Sequence, residues 1–263
     1  MNPLRTIYPL WLREKLYFHM VSRIALWPNA EKAMPLEFAP ATLPSLLQTD
    51  CGHRQIAWLG FYERELTTTL SRLARRGGLL VDVGANVGYF SILWVALNVK
   101  NRAYAFEPSP RNLTMLRANV AAQMHPERIQ ICEYALGRES GEMPFDPGPD
   151  DQSGWGGFKR SISRQTIRVR VQRLDELLPP AAIVDCVKID TEGADAWVIE
   201  GATKLLREKR IRHVLFEENS QRMQALGISP RTAERLLSDL GYVVSPLGKA
   251  GSCTEFHAWP GGR

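Results

Sequence analysis

Several signals that would fix a function class at once are missing from this chain. The dinucleotide fingerprint G-x-G-x-x-G is absent, and so is the phosphate-loop pattern G-x-x-x-x-G-K-[ST]. Without them there is no motif support for binding a pyrophosphate. The cysteines Cys51, Cys132, Cys186 and Cys253 lie far apart and form no C-x-x-C pair. That argues against a zinc ribbon or a dithiol redox motif and fits reduced thiols in a cytosol. Cys132 and Cys186 sit in apolar runs and read as small buried hydrophobes. His19, His53, His125 and His257 show no ligand spacing, and no metal-ligand residues are assigned. His213, inside an expected strand, reads as a packed, hydrogen-bonded side chain rather than a base. Charge of one sign does not accumulate either. The net charge is +5, with Lys and Arg spread out apart from short pairs such as Arg75-Arg76. No nucleic-acid stripe results, while attraction to anionic substrates or to a membrane surface stays open. The longest uncharged run, Val83 to Val99, falls short of the ~20 residues that span a bilayer. The first apolar segment is broken by Arg13, Glu14 and Lys15, so no secretory signal is expected.

The chain of 263 residues, 44% hydrophobic and 23% charged, is long enough for one α/β domain with a proper core and a small appendage. Its organising stretch is Leu79-Leu80-Val81-Asp82-Val83-Gly84-Ala85-Asn86-Val87-Gly88-Tyr89-Phe90. The apolar run has no helical spacing, as in a strand covered on both faces. Gly84 and Gly88 bracket a tight turn that lets the backbone approach a ligand, and a helix is expected from Tyr89 to Val99. A glycine loop ahead of a helix often cradles phosphate. Here the pattern is D-x-G-A-N-x-G, with Asp82 on the strand just before the loop. An acid aimed at the loop disfavours pyrophosphate and favours a ligand with a cationic centre and hydroxyls, such as S-adenosylmethionine (SAM). The alternative is a structural strand–turn–helix without ligand. A second strand, Ala103 to Phe106, ends in Glu107-Pro108. In open α/β sheets the acid ending the second strand accepts hydrogen bonds from ribose hydroxyls, so Glu107 is the expected ribose ligand, with a solvated strand-end carboxylate as the bland alternative.

The three segments V-D-V-G-A-N-V-G-Y-F-S, A-F-E-P-S-P-R-N and V-K-I-D-T-E-G-A-D, ordered and spaced over roughly Gly60 to Leu240, resemble the FkbM-type SAM-dependent methyltransferases. The resemblance implies a Rossmann-like class I fold: a seven-stranded, mostly parallel sheet with the last strand antiparallel, here with an N-terminal helical extension. It also implies that Tyr62 and Glu63 lie near the methionine end of the cofactor. The usual E-G-A-E of the family reads Glu192-Gly193-Ala194-Asp195 here, which keeps the charge but shortens its reach by one methylene.

The rest of the chain is read around that frame. Residues 1–55 form the extension and linker: an amphipathic helix over Leu10 to Trp27, with Trp11, Tyr17, Phe18, Met20, Val21 and Ile24, for packing or for interfacial membrane attachment, then a proline-rich linker or wrap from Pro28 to Pro44. Residues 56–263 form the SAM domain. Helices are expected over Arg64 to Arg75 and Arg111 to Ala122, and a third strand over Ile129 to Tyr134. Ala135-Leu136-Gly137 follows where this fold usually cups adenine. The segment 141–164, rich in Gly and Pro, reads as a long irregular insert or lid over the acceptor site. Thr166 to Val171 alternates and reads as a strand that pairs with Met143 to Phe145. The fourth strand ends at Asp190 and the fifth, Ile211 to Phe216, at Glu217-Glu218. Carboxyl ends of parallel strands carry the ligands in such sheets.

The expected site is therefore Glu63, Asp82, Gly84, Asn86, Gly88, Glu107, Ala135 and Asp190 for the cofactor, with Asp190 and Glu217 as catalytic acids. A neutral hydroxyl needs a base or a metal to become a methyl acceptor. Asp190 is the first choice of base. Alternatively Asp190 with Glu217 or Glu218 would hold Mg²⁺ through oxygen. Lys188 belongs to the K-I-D-x-E-G motif but receives no derived role. The resulting expectation is SAM-dependent O-methylation of a sugar hydroxyl in a glycolipid, polysaccharide or glycosylated natural product. Its rivals are a nicotinamide-dependent oxidoreductase and a non-catalytic SAM-binding partner subunit. The expected partner is a small-molecule or glycan acceptor and the expected compartment is the cytoplasm.

Overall fold

A computed structural model describes residues 2–22, 27–28, 33–250 and 253–262. The chain begins with a short helix α1 (Leu10–Leu16), which runs into a π-helical turn over Tyr17–Val21. A two-stranded ribbon, β1 (Met34–Pro35) and β2 (Thr42–Leu43), precedes α2 (Cys51–Leu59). Asp50 caps α2 by accepting from the His53 amide, and Gly60 ends it at φ 82°, as capping chemistry requires. Helix α3 (Arg64–Ala74) buries Leu66, Leu70 and Leu73 on one side. Strand β3 (Leu79–Val83) leads into α4 (Tyr89–Leu97), whose residues from Tyr89 to Val95 are all buried. A helix apolar all round is a core helix. Next come β4 (Arg102–Phe106), α5 (Pro110–Ala121), β5 (Ile129–Cys132), β6 (Ala135–Leu136), β7 (Gly141–Asp146), β8 (Gly157–Phe158), β9 (Ile167–Gln172) and α6 (Leu174–Leu177). The chain then adds β10 (Cys186–Ile189), α7 (Asp195–Gly201), α8 (Thr203–Arg207), β11 (Val214–Asn219), α9 (Ser220–Leu226), α10 (Thr232–Asp239), β12 (Tyr242–Ala250) and β13 (Cys253–Pro260).

The main sheet has seven strands in the order β12-β13-β11-β10-β3-β4-β5. All neighbouring pairs are parallel except those of β13, which runs antiparallel to both β11 and β12. This is the class I methyltransferase fold expected from the sequence, including its antiparallel last strand. The order reverses between β3 and β10. The chain moves outward from β3 through β4 and β5, then returns to the other side of β3. Ligands bind outside the carboxyl ends of strands at such a switch point. Period-two alternation sends Val81 and Val83 into one hydrophobic cluster, under α7 and α10, and Leu80 into the other, under α3 and α4.

Several segments differ from the sequence expectation. The helix over Leu10 to Trp27 is shorter: α1 and its π turn end at Val21, Trp27 is not helical, and Ile24 falls outside the described residues. Leu4, Tyr17, Leu36 and Leu43 share the cluster of Ile56, Leu70 and Trp94. Within the stretch Pro28 to Pro44, residues 29–32 lie outside the described residues, and β1 and β2 form the ribbon beyond them. Helix α2 had no expectation. The insert 141–164 is only partly irregular. β7 pairs with β9, Met143 opposite Val169, as the alternation in Thr166 to Val171 suggested, and β8 adds to the edge of a four-stranded sheet β6-β9-β7-β8. The Gly and Pro density hid β8 and the ends of β7, because it reflects the turn at 147–156. The fifth strand also starts and ends later than expected, so Glu217 and Glu218 lie within β11 and face opposite ways.

Candidate active site

Two neighbouring cavities open at the carboxyl ends of β3, β10 and β11. The larger, about 670 Å³, is bounded by Tyr62 and Glu63, by the loop residues Gly84, Ala85 and Asn86, and by Lys188, Asp190, Glu192 and Glu217. Its outer wall comes from Gln152, Trp155 and Lys159 of the insert and from Gln221 and Arg222 of α9. The smaller, about 50 Å³, lies between Phe106, Glu107, Pro108, Asn112, Ala135, Leu136 and Phe145. Gly84, Asn86, Gly154 and Asp190 border both.

The loop after β3 is built for close approach. The amides of Gly84 and Ala85 both donate to the Phe106 carbonyl, at 3.0 Å each. Gly84 has φ +75°, and a Cβ there would stand 2.0 Å from the Asp190 carbonyl oxygen. Only glycine joins the two strand ends this tightly. Glu107 is buried and its Oε2 accepts from the Asn86 amide at 2.8 Å, while Oε1 accepts from the Ser109 amide at 2.9 Å. Asn112 adds a contact to Oε1 at 3.4 Å. Burial pushes the Glu107 carboxyl up to about 7 against these donors. Glu107 thus faces the smaller cavity while fixing the loop that borders the larger one.

Of the expected cofactor residues, Glu63, Gly84, Asn86, Glu107, Ala135 and Asp190 all border one or both cavities. Asp82 and Gly88 border neither. Asp82 is fully buried under the loop, with Ser91 Oγ donating to Oδ2 at 2.7 Å and Lys188 Nζ 3.6 Å from Oδ1. Gly88, at φ +87°, packs where a Cβ would meet Leu116 Cδ1 at 2.6 Å. The sequence placed Asp82 as an acid aimed at the loop. The structure turns it to the α4 side of the sheet, because alternation puts it on the face of Leu80 rather than at the strand tip.

Glu217 borders the larger cavity. Glu218 turns the other way and accepts from the Arg231 amide at 3.0 Å, which corrects the reading that paired it with Asp190 around a metal. Among the described residues, no group of three or more His, Cys, Asp or Glu side chains is placed to hold a metal ion. Asp195, the shortened acid of the motif, is buried and borders neither of the two cavities. It accepts from the Thr191 amide at 3.1 Å and the Glu217 amide at 2.9 Å, so it ties the β10 loop to β11 instead of reaching a ligand.

Acids dominate the electrostatics. Burial first, and then Asp190, push Glu192 and Glu217 up to about 8 and Glu255 to about 7. Glu63 is raised well above its ordinary range by the same two causes. Glu192 meets a counter-charge in Arg222, whose Nε lies 3.0 Å from Oε2. Arg222 also lies over the Trp155 ring, 5.5 Å from its centroid. Such a crowd of half-desolvated carboxylates favours an incoming cation.

This strand order, glycine loop and ring of acids agree with the sequence comparison. The profile of the methyltransferase FkbM domain matches residues 82–244. The chain belongs to the FkbM methyltransferase family. Among its relatives is the hexuronic acid methyltransferase AglP of Haloferax volcanii, 26% identical over 67% of this chain and 68% of its own length. Another is the 2-O-methyltransferase NoeI of Sinorhizobium fredii, 24% identical over 57% of this chain and 67% of its own. The crystal structure of methyltransferase FkbM from Methylobacillus flagellatus KT superposes with a TM-score of 0.49 at 17% identity, over 70% of this chain and 43% of that one. The chain therefore spans less than half the length of that protein.

Sequence reasoning passed over several residues that this FkbM-family fold gathers at the cavities. His53 borders the larger cavity, yet no spacing marked it. Its Nδ1 accepts from the Leu47 amide at 3.0 Å, which leaves the proton on Nε2, 3.3 Å from Ser153 Oγ. In that tautomer it donates to Ser153 and cannot serve as a base at Nε2. Ser153 itself is buried, with its amide on Asp50 Oδ2 at 2.6 Å. Trp155 borders the larger cavity and Phe158 the smaller, two aromatic residues in an otherwise Gly- and Pro-rich stretch. Among the described residues no helix is long and apolar enough to cross a membrane.

Proposed function

We propose that this chain is a SAM-dependent O-methyltransferase whose acceptor is a sugar hydroxyl in a glycolipid, polysaccharide or glycosylated natural product. The observation that carries the reading is the convergence of the Gly84 loop, Glu107 and Asp190 from three adjacent strands on one pair of joined cavities. The residues suit the cofactor. Glu107 presents a buried carboxylate to ribose hydroxyls, Ala135 and Leu136 offer an apolar wall to a base, and the Gly84 carbonyl side and Glu63 face the methionine end. SAM, when bound, supplies an electrophilic methyl on a sulfonium. The protein's part is to hold the acceptor oxygen in line and near attack distance and to take its proton. Asp190 is the first choice of base and Glu217, on the next strand, the second. Both are carboxyl groups at the cavity wall, and burial and then Asp190 push Glu217 up to about 8, closer to the working pH of a general base than an ordinary carboxylate.

The acceptor class is supported by two relatives, one described as acting on a hexuronic acid and one as a 2-O-methyltransferase. The polar outer wall with its exposed Trp155 suits a sugar ring, which presents hydroxyls at its edge and apolar C–H groups on its faces. The division at residue 55 and the role of 141–164 as a lid over the acceptor belong to the same proposal.

Calorimetric titration with SAM, beside a Glu107→Ala variant, tests the cofactor half. Saturable binding weakened by about 1.5–3 kcal/mol in the variant, the range for a hydrogen bond to a charged group, supports it. No heat and no thermal stabilisation by SAM in the wild type overturn it. Transfer of labelled methyl from SAM to a panel of glycosides, with the product position mapped by NMR, tests the acceptor half. A methyl found on nitrogen or carbon overturns O-methylation.

A further inference from the structure

Lys188 carries a motif position that the proposed reaction has not yet used. On β10, Cys186 and Lys188 alternate onto one face, Asp190 follows just past the strand's end, and the register sets Lys188 beside Asp82 of β3. The side chain is 2% exposed. Its Nζ lies 3.6 Å from Asp82 Oδ1, 3.3 Å from Asp190 Oδ2 and 3.2 Å from the Gly84 carbonyl oxygen, and 4.9 Å from the centroid of the Phe90 ring. An ammonium is buried this deeply only when paired and hydrogen-bonded.

The two acids it meets are not equivalent. Asp82 is closed off, 0% exposed and already bonded to Ser91. The Asp190 side chain keeps 30% exposure, on the wall of the larger cavity. Lys188 is thus anchored from below and reaches upward to the two groups that bound the switch point, one from each strand. We propose that Lys188 is a positioning residue for cofactor binding: held by Asp82, it fixes the Asp190 carboxylate and the Gly84 carbonyl at the cavity wall that receives the cationic end of the methyl donor. The inference rests on the SAM reading above. Lys188 is not itself a base. Burial alone would favour the neutral amine, but Asp190, Asp82 and Glu63 outweigh it and keep the proton on Nζ.

A double-mutant cycle on the full chain tests this, read by calorimetric titration with SAM alone. Lys188→Met is expected to weaken SAM binding tenfold or more. The same substitution made in Asp190→Asn is expected to cost less than threefold, since the group it positions is gone. A merely structural lysine would cost the same in both backgrounds, and that result, or unchanged affinity in Lys188→Met, overturns the proposal. Saturable binding by the wild type with equal losses overturns this inference alone. No binding by the wild type overturns the SAM reading, and this inference with it. Should Lys188→Met fail to fold, the comparison is made in Asp82→Asn, which removes one buried carboxylate together with the ammonium and keeps the charge balanced.

Discussion

Asp195 Oδ2 accepts a hydrogen bond from the Glu217 amide at 2.9 Å, while Oδ1 accepts from the Thr191 amide at 3.1 Å. One buried side chain thereby sets the spacing between the ends of β10 and β11, where the proposed catalytic acids stand. The shorter aspartate fits this task, because the bonds are made inside the sheet and no reach into the cavity is needed. Asp195→Ala removes an acceptor from two backbone amides and is expected to cost about 1.5–3 kcal/mol. Urea unfolding measures that loss, and methyl transfer should fall further than stability alone explains, because Glu217 loses its backbone anchor.

The acid ring makes the ligand-free protein sensitive to base. Glu192 and Glu217 are pushed up to about 8 and Glu255 to about 7, whereas in the unfolded chain they ionise near pH 4–5. A carboxyl whose folded pKa is raised contributes stability that is complete below the unfolded value and lost as pH climbs through the folded one. Melting temperature without ligand is therefore expected to fall between pH 5 and 9, most steeply around pH 6, where these groups are ionised in the unfolded chain and still protonated in the folded one, and to level off above 8. SAM brings positive charge to the ring, so its addition should blunt the fall and its affinity should rise with pH. Thermal melts with and without SAM read both; a flat profile contradicts the charge arrangement.

The opposite limb is set by two histidines that border neither cavity. His213 Nδ1 and His257 Nε2 face each other at 3.0 Å. Burial and then His213 hold His257 down to about 4, and burial lowers His213 as well. A lowered histidine contributes stability that is present above its unfolded pKa and lost as pH falls through the folded value. Stability is expected to drop between about pH 6.5 and 4, and His257→Phe should flatten that limb without changing SAM affinity, as measured by melts and titration.

The sheet was legible because its signals are local. Buried strands read as apolar runs at Leu79–Val83 and Cys186–Ile189, and the loop between Gly84 and Gly88 admits few alternatives. Glu107 and Asp190 directly follow the carboxyl ends of β4 and β10, so topology brought them to the cavities, whereas Glu63 was placed by the family resemblance and Glu217 lies within β11. Asp82 and Glu218 were misjudged by a single step of alternation, which depends on where a strand ends and is the least certain thing a sequence offers. Lys188 was opaque for a related reason. Two of its partners come from β3 and the Gly84 loop, roughly a hundred residues earlier in the chain. His53 and Ser153 meet across a similar separation, through an insert whose composition hid β8 and the course of its turn.

That insert yields the last prediction. The Ser153 amide donates to Asp50 Oδ2, its Oγ donates to Asn86 Oδ1 at 3.3 Å, and its carbonyl accepts from Asn112 Nδ2 at 3.2 Å. Asn86 and Asn112 both also contact Glu107. The turn is thus clasped to the residues that border the smaller cavity, and a nucleoside entering there must displace or pass it. Asp50→Asn keeps an oxygen for the His53 amide, so the α2 cap survives, but it turns an NH₂ group toward the Ser153 amide and opens the clasp. SAM association and dissociation rates are both expected to rise, by threefold or more in stopped flow, with the equilibrium constant changing less than either rate. Trypsin should cut faster after Lys159 and Arg160, which follow the loosened turn. Asp50→Ala adds the loss of the cap, about 1 kcal/mol of stability. Unchanged rates in Asp50→Asn, with the variant folded, mean that the turn does not gate the cavity.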